Sequence, residues 1–496
     1  MANVESLRYF LPELLLTALV LAVFLVDLGL KRKKVPIATL MVVGLLVSLY
    51  AVLKTPGAEG VTLFLGMVSL DPFSVFFKVI FIVTAVLVTL FSMESDEVEE
   101  KNFGEYMGFI AATTLGAVLL ASSNHMLMAF LTLELVSVPC YVLAGYISRS
   151  RRSSEASLKY VIFGAASSGL MVYGISLLFG VTGSLSFEGI RDALSAGNPG
   201  EIIVLISLIF ILAGLGYKIA VFPFHMWCPD VYEGAPTPIT AFLSVGPKAA
   251  GFAVLVRMLH VAFSSSDGAA AYLTDISSVD WPFLVAIISA ATMTIGNLLA
   301  INQSNIKRLL AYSSIAHAGY LLMGVVALSQ LGTQALLFYF VVYLLMNLGA
   351  FLVVLNFRSQ TRSEQIGDYT GLAWRSPIGA FVAVSMAIFL FSLTGIPPFG
   401  GFIGKVYLFA SIIQGERFIW LAIVAIANSV ISLYYYARII KVMFLRGIDA
   451  EDLGGFVSSP TTITLLTILA VGTAVSGIFW GPIARWVSHS ASLFFG

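Results

Sequence analysis

Four lysines and one glutamate stand within or beside long apolar stretches of this sequence: Glu134, Lys159, Lys218, Lys248 and Lys405. A charged side chain at the centre of a membrane helix costs about 2.5 to 3.5 kcal/mol on insertion scales. Such residues are retained where they have a function, and side chains that gain and lose a proton are suited to moving charge. The pattern predicts a charge-transfer path across or along a membrane.

Glu134 lies in the middle of its apolar run, where it could accept protons or could pair with a lysine only to fix helix packing. Lys218 is the expected partner because it precedes a helix break at similar depth. Lys248 stands among small residues deep inside its run, and Lys405 follows a second break. These positions favour proton carriers over lysines that extend to the membrane surface.

Three further residues leave both interpretations open. Lys159 is near the predicted edge of its run and could reach the interface instead of taking part in transfer. His225 at the first break and His317 in a polar stretch could relay protons through water, or could be ordinary hydrogen-bonded histidines.

Other charged residues fall at predicted span edges. We expect Glu13, Asp27 and Lys78 to be solvated or interfacial there. Lys307-Arg308 and Arg438 are interpreted as orientation signals rather than transfer groups.

The composition is that of a polytopic membrane protein. Of 496 residues, 59% are hydrophobic and 11% are charged, against about 25% charged residues in soluble domains. A membrane helix needs about 20 apolar residues, and fourteen such runs are present. Their approximate extents are 8–30, 35–54, 73–93, 105–122, 125–147, 157–181, 202–224, 238–263, 280–300, 306–328, 334–357, 378–413, 417–443 and 460–482.

Charge balance and cysteine content narrow the function classes. The formal net charge is +0, so charge gives no reason to expect nucleic acid as a partner. Cys140 and Cys228 are the two cysteines, whereas an iron–sulfur cluster needs about four thiolates. We therefore expect no redox centre, cofactor or metal in this chain.

The basic residues predict the orientation, because cytoplasmic loops are rich in lysine and arginine. One set of alternate loops carries Lys31, Arg32, Lys33, Lys34, Lys101, Arg149, Arg151, Arg152, Lys307, Arg308, Arg358, Arg362, Arg375, Lys441 and Arg446. The opposite set carries chiefly Lys54, Arg191, Arg417 and Arg485. Both termini are therefore expected on the outer side of a bacterial-type cytoplasmic membrane. The first apolar run is expected to be a retained span.

Two spans, the seventh and the twelfth, are interrupted by proline and glycine. The segments around Pro223 and Pro397-Pro398 also resemble each other, and Ser123-Asn124 is echoed by Ser304-Asn305. The repeating unit then has five spans, and an odd number places the two copies in opposite orientations. We expect an all-α fold with two inverted repeats at 105–263 and 264–443, preceded by a three-helix segment at 1–104 and followed by a last helix at 444–496.

These residues resemble the antiporter-like membrane subunits of the proton-pumping NADH:quinone oxidoreductase, respiratory complex I, and among them subunit N. The segment 216–236 around Trp227 is the most diagnostic part. The other strings that carry the resemblance are Leu133-Glu134-Leu135 with Pro139, Ser157-Leu158-Lys159-Tyr160, Pro247-Lys248, and the stretch from Pro397 to Lys405.

The resemblance implies a membrane-arm subunit that moves protons through two half-channels while other subunits reduce quinone. It implies a controlling pair of Glu134 and Lys218, a central carrier Lys248 and an exit carrier Lys405. Lys159 and His225 would belong to the connecting water chain. Flavin and iron–sulfur clusters would belong to partner subunits, and NADH and quinone would be used by the whole complex rather than bound by this chain.

Three alternatives stay open from the residues. A subunit of a sodium/proton antiporter would carry the same lysines and breaks. A substrate transporter would need a polar pocket between the repeats, and a purely structural subunit would tolerate the loss of Glu134 and Lys248.

Overall fold

A computed structural model describes residues 3–29, 33–55, 60–147, 150–197, 200–266, 272–276, 279–447 and 455–495. The helices of this part are α1 (Asn3–Tyr9), α2 (Leu11–Gly29), α3 (Lys34–Lys54), α4 (Pro72–Glu94), α5 (Phe103–Ala121), α6 (Met126–Ala144), α7 (Arg151–Thr182), α8 (Phe187–Ala196), α9 (Glu201–Ile219), α10 (Trp227–Gly234), α11 (Thr237–Ala262), α12 (Trp281–Ile301), α13 (Ile306–Val326), α14 (Gln330–Thr361), α15 (Leu372–Arg375), α16 (Pro377–Thr394), α17 (Gly400–Gln414), α18 (Ile419–Leu445), α19 (Pro460–Ile478) and α20 (Gly481–Ala491).

Fourteen helices in the described ranges are long and apolar enough to cross a membrane. The predicted all-α polytopic fold is thereby confirmed. Of the basic residues that predicted the orientation, Lys31, Arg32 and Arg149 lie outside the described residues.

Two short antiparallel hairpins accompany the helices. One pairs β1 (Val61–Leu63) with β2 (Val68–Leu70), and Thr62 lies opposite Ser69. The other pairs β3 (Ser264–Ser266) with β4 (Leu273–Asp275). Both lie in connections between membrane helices.

Local capping sets several helix starts. The Ser150 hydroxyl accepts a hydrogen bond from the Ser153 amide, so α7 begins at Arg151 rather than at the predicted 157. Lys159 therefore lies inside the helix and not at its edge. Asp71 and Ser74 form a capping box at the start of α4.

Both interrupted spans are broken as the sequence indicates. The first break separates α9 from α10, and the second separates α16 from α17. Ala220 and Gly395, the residues directly after α9 and α16, have φ angles of 57° and 88°. The Phe222-Pro223 and Pro397-Pro398 peptide bonds are cis.

The centre of the molecule is formed by α11, α13 and α14, which are buried over nearly their whole length. The helices α2, α3, α7 and α18 instead present apolar side chains outward, as expected of helices that contact lipid or other membrane subunits.

The same backbone pairing occurs twice in the chain. At the start of α6, the Met126 amide donates to Leu185 O at 2.8 Å, and the Phe187 amide donates to Asn124 O at 3.2 Å. At the start of α13, the Ile306 amide donates to Glu364 O at 2.9 Å, and the Ile366 amide donates to Ser304 O at 2.9 Å. This geometry aligns Asn124 with Ser304, one residue away from the register suggested by the sequence echo.

Candidate functional site

Three lysines are buried inside the helical bundle, each with 2% of its surface exposed: Lys218 on α9, Lys248 on α11 and Lys405 on α17. Lys218 Nζ donates to Ser137 Oγ at 3.1 Å. Lys248 Nζ donates to the carbonyl oxygen of Ser314 at 2.7 Å and to its hydroxyl at 2.5 Å. All of these acceptors are neutral.

Lys405 lies just after the second break. Its Nζ donates to Thr394 O at 2.8 Å and to Ser429 Oγ at 3.0 Å. It also lies 4.6 Å from the centroid of the Tyr320 ring, a distance at which the ring face attracts a cation. The break thus supplies the carbonyl that holds the lysine, because Thr394 is the last residue of α16.

Other buried cations differ from these lysines because they are paired. Lys78 contacts Glu13 at 2.6 Å, Arg257 contacts Asp71 at 2.6 Å, and Lys307 contacts Glu364 at 3.2 Å. Within the described ranges, no carboxylate oxygen lies within 4.0 Å of Nζ of the three central lysines. A buried charge without a counter-ion is costly, so a lysine in that position is suited to exchanging its proton.

Glu134 and Lys218, the predicted controlling pair, are not in direct contact here. Glu134 is half-buried and accepts a short hydrogen bond from the Ser168 hydroxyl of α7. Ser137, which lies one helical turn after Glu134, binds Lys218 instead. The Glu134 carboxylate and the Lys218 ammonium therefore lie one turn of α6 apart without forming an ion pair.

His317 lies in a cluster of tyrosines between α13, α14 and α18. Its Nδ1 contacts Tyr339 OH at 2.7 Å and its Nε2 contacts Tyr436 OH at 3.3 Å. Tyr343 donates to the Ser314 hydroxyl at 2.9 Å. Sequence reasoning missed these tyrosines, because a tyrosine in an apolar helix is indistinguishable from a packing residue; the spacing of Tyr339 and Tyr343, one turn apart, was the available signal.

His225 and Lys159 are placed apart from these groups. His225 is buried at the first break, and its Nδ1 has no hydrogen-bond partner among the described residues. Lys159 has a 38% exposed side chain and contacts Glu155 at 2.7 Å and Asp230 at 2.6 Å. This geometry is that of an ion pair at the end of the bundle.

The ion pairs around α10 form a cluster, here called the charged joint, of Lys159, Asp230, Glu233 and Arg308. Arg308 contacts Asp230 at 2.6 Å and Glu233 at 2.9 Å. Burial raises the pKa of Asp230, but hydrogen bonds from Lys159 and Arg308 outweigh it and leave the pKa below its ordinary value.

Three edge residues were wrongly expected to be solvated or interfacial. Glu13, Asp27 and Lys78 have at most 7% of their surface exposed. Hydropathy indicates where a span ends, whereas the packing of neighbouring helices determines which side chains are buried.

Metal ligation receives no support from the described part of the chain. No group of three or more histidines, cysteines, aspartates or glutamates is placed there to hold a metal ion. Cys140 on α6 and Cys228 on α10 are both buried and unpaired.

The geometry has counterparts among known proteins. A family model described as the membrane part of NADH:quinone oxidoreductase/Mrp antiporters matches residues 123–432. NADH-quinone oxidoreductase subunit N 2 of Chloroherpeton thalassium is 44% identical over 493 residues, covering 98% of this chain and 94% of that relative.

Solved structures give the same result. A chain of respiratory complex I from Thermus thermophilus with bound aureothin has a TM-score of 0.78 and 28% identity, covering 96% of this chain and 98% of that chain. A chain of the Mrp complex from Dietzia sp. has a TM-score of 0.83 at 21% identity, covering 99% and 98%, which shows a shared fold. From these matches, the chain belongs to the NADH:quinone oxidoreductase/Mrp antiporter membrane-subunit family, and within it to the N subunits of NADH-quinone oxidoreductases.

Proposed function

We propose that this chain is a proton-translocating membrane-arm subunit of an NADH:quinone oxidoreductase, in which Lys218, Lys248 and Lys405 carry the protons. The observation that carries the proposal is the burial of these three lysines against neutral acceptors, while Lys78, Arg257 and other buried cations are paired. A permanent structural charge would be expected to have a counter-ion.

Electrostatic interactions would couple the position of Glu134 to the movement of protons between the lysines. Glu134 bonded to Ser168 leaves the Lys218 ammonium with a hydroxyl partner only. Two unit charges about 4 Å apart interact by about 4 kcal/mol at an effective dielectric near 20. Movement of Glu134 toward or away from Lys218 would therefore change the electrostatic potential at Lys248. A proton would then pass from Lys248 toward Lys405, and the His317 cluster lies between these two lysines.

The chain is organised in this proposal as two inverted repeats, 105–263 and 264–443, between a segment at 1–104 and a last helix at 444–496. The duplicated backbone pairing at the starts of α6 and α13 supports it, as do the 32-residue lengths of α7 and α14, the third helix of each repeat. The corresponding break within each repeat adds to this support.

Partners and location follow from the same features. Glu134 is only half-buried on an otherwise apolar surface, and a carboxylate facing lipid is costly, so a neighbouring membrane subunit is expected to cover it. Flavin, iron–sulfur clusters, NADH and quinone belong to the rest of the complex. The bacterial relatives favour the bacterial cytoplasmic membrane, and the lysine and arginine distribution favours both termini outside.

Replacing Lys248 with alanine tests the proposal. We expect NADH-driven acidification of inverted membrane vesicles and the coupled quinone reduction to fall at least about tenfold, since a required carrier is removed. Co-purification of the variant chain with the flavin and iron–sulfur subunits reports that the complex is assembled. Lys101→Ala, at an exposed lysine, is the matched control and is expected to behave as wild type. Normal coupled turnover of Lys248→Ala contradicts the proposal.

A sodium/proton antiporter subunit is the alternative that the shared fold with the Mrp chain supports. Purification of the native assembly separates the two, because only the oxidoreductase co-purifies with flavin and iron–sulfur subunits. Proton transport driven by a sodium gradient without NADH would favour the antiporter.

A further inference from the structure

Ser314 of α13 accepts the hydrogen bonds that the buried Lys248 ammonium makes within the described part of the chain. Both its carbonyl oxygen and its hydroxyl accept from Lys248 Nζ, at 2.7 and 2.5 Å. The same hydroxyl accepts from Tyr343 at 2.9 Å and lies 3.5 Å from Tyr232 OH. A serine hydroxyl has two acceptor positions and one donor, so Lys248, Tyr343 and Tyr232 account for all three.

Ser314 also occupies a particular place in the repeat. Met126 and Ile306 begin α6 and α13, and each donates its amide to the segment that follows the long third helix of its repeat. Glu134 lies eight positions after Met126, and Ser314 lies eight positions after Ile306. The backbone geometry therefore aligns Ser314 with Glu134.

We propose that Ser314 is the second-repeat counterpart of Glu134, a positioning residue that holds Lys248 through neutral oxygens. The inference rests on the proposed function. The Ser314 hydroxyl is in hydrogen-bond contact with Lys248 Nζ. A carboxylate at this position would therefore form an ion pair with Lys248 and stabilise the protonated form of the lysine. Serine fixes the position of the lysine and leaves its proton free to move.

The contact also crosses the boundary between the repeats. Lys248 lies on α11, the last helix of the first repeat, whereas Ser314 lies on α13 of the second. In the first repeat, Lys218 contacts α6 at Ser137, one turn beyond Glu134. The helices α6 and α13 thus each bind a buried lysine through a serine, and they differ in that Glu134 of α6 is acidic whereas Ser314 of α13 is neutral.

The test compares Ser314→Asp with Ser314→Asn in the assembled complex in inverted vesicles. Aspartate and asparagine have nearly the same size, so a packing role predicts equal losses. We expect Ser314→Asp to reduce NADH-driven acidification at least about tenfold relative to Ser314→Asn, since only aspartate adds a charge next to Lys248. Ser385→Ala is the control, since the Ser385 hydroxyl donates to Phe381 O in its own helix, α16.

A second pair of variants decides the matter if Ser314→Asp does not assemble. Ser314→Thr keeps the hydroxyl and is expected to retain acidification, whereas Ser314→Ala is expected to lose most of it. Equal effects of aspartate and asparagine, or of threonine and alanine, overturn the assignment of Ser314. Wild-type vesicles that fail to acidify with NADH would instead refute the proposed function.

Discussion

At the residue scale, the presence of a counter-ion separates the paired buried cations, such as Lys78 and Arg257, from the three lysines proposed to carry protons. The unusual residue types could be predicted from the sequence alone, because a lysine in an apolar run is conspicuous. The partners could not, since Ser137 and Ser314 are ordinary residues until the helices bring them to Lys218 and Lys248. The burial of Lys78 was missed for the same reason.

Lys78→Ala should show the opposite behaviour from Lys248→Ala. Removing Lys78 leaves Glu13 buried without its partner, which costs about 3 to 5 kcal/mol. We expect a lower unfolding temperature of the purified complex, with proton translocation per NADH unchanged in the molecules that assemble. The double variant Glu13→Gln/Lys78→Met should recover much of the stability. A changed proton yield would show that this pair takes part in transfer.

At the element scale, proline and glycine predicted both helix breaks, and the structure has them at α9–α10 and α16–α17. The short helices α8, α10 and α20 could not be predicted in the same way, because runs below about 18 apolar residues are not recognised as spans. The helix α10 matters because of the side chains that it positions. Asp230 contacts Arg308 in the charged joint, and Tyr232 lies against Ser314.

Gly401→Ala tests whether the second break positions Lys405. A Cβ at Gly401 would lie 1.9 Å from the backbone oxygen of Ser392, which cannot move independently of α16. We expect α17 to shift and Lys405 to lose its contact with Thr394, with proton translocation falling at least about tenfold. Gly180→Ala, where nothing lies within 4 Å of the added carbon, is the matched control on α7. Equal activities of the two variants would show that the break tolerates displacement.

At the scale of the whole molecule, the charged joint connects the two proposed repeats at one end of the bundle. Arg308 of α13 contacts Asp230 of α10, and Lys307 donates to the carbonyl oxygens of Glu233 and Ala235 at 3.0 and 2.7 Å. The sequence alone indicates only that Lys307-Arg308 is an orientation signal. Charge counting along a chain reports which side a loop lies on, but not which acidic groups fold against it.

Next to this joint, Glu364 pairs with Lys307 at 3.2 Å, and acidification should weaken that pair only below the ordinary pKa range of carboxylates. Burial raises the pKa of Glu364, but Lys307, Asn305 and Arg358 outweigh it and the net shift is downward. A group whose pKa is lower in the folded state stabilises fully above its unfolded pKa of about 4.3, and that contribution is lost as pH falls through the lower folded value. Glu364→Gln should therefore lower the unfolding temperature of the complex at pH 7, and its difference from wild type should shrink as the pH falls below about 4. Thermal unfolding of both proteins across this range measures the difference. A gap that stays constant down to the lowest pH would mean that Glu364 stabilises by packing rather than by charge.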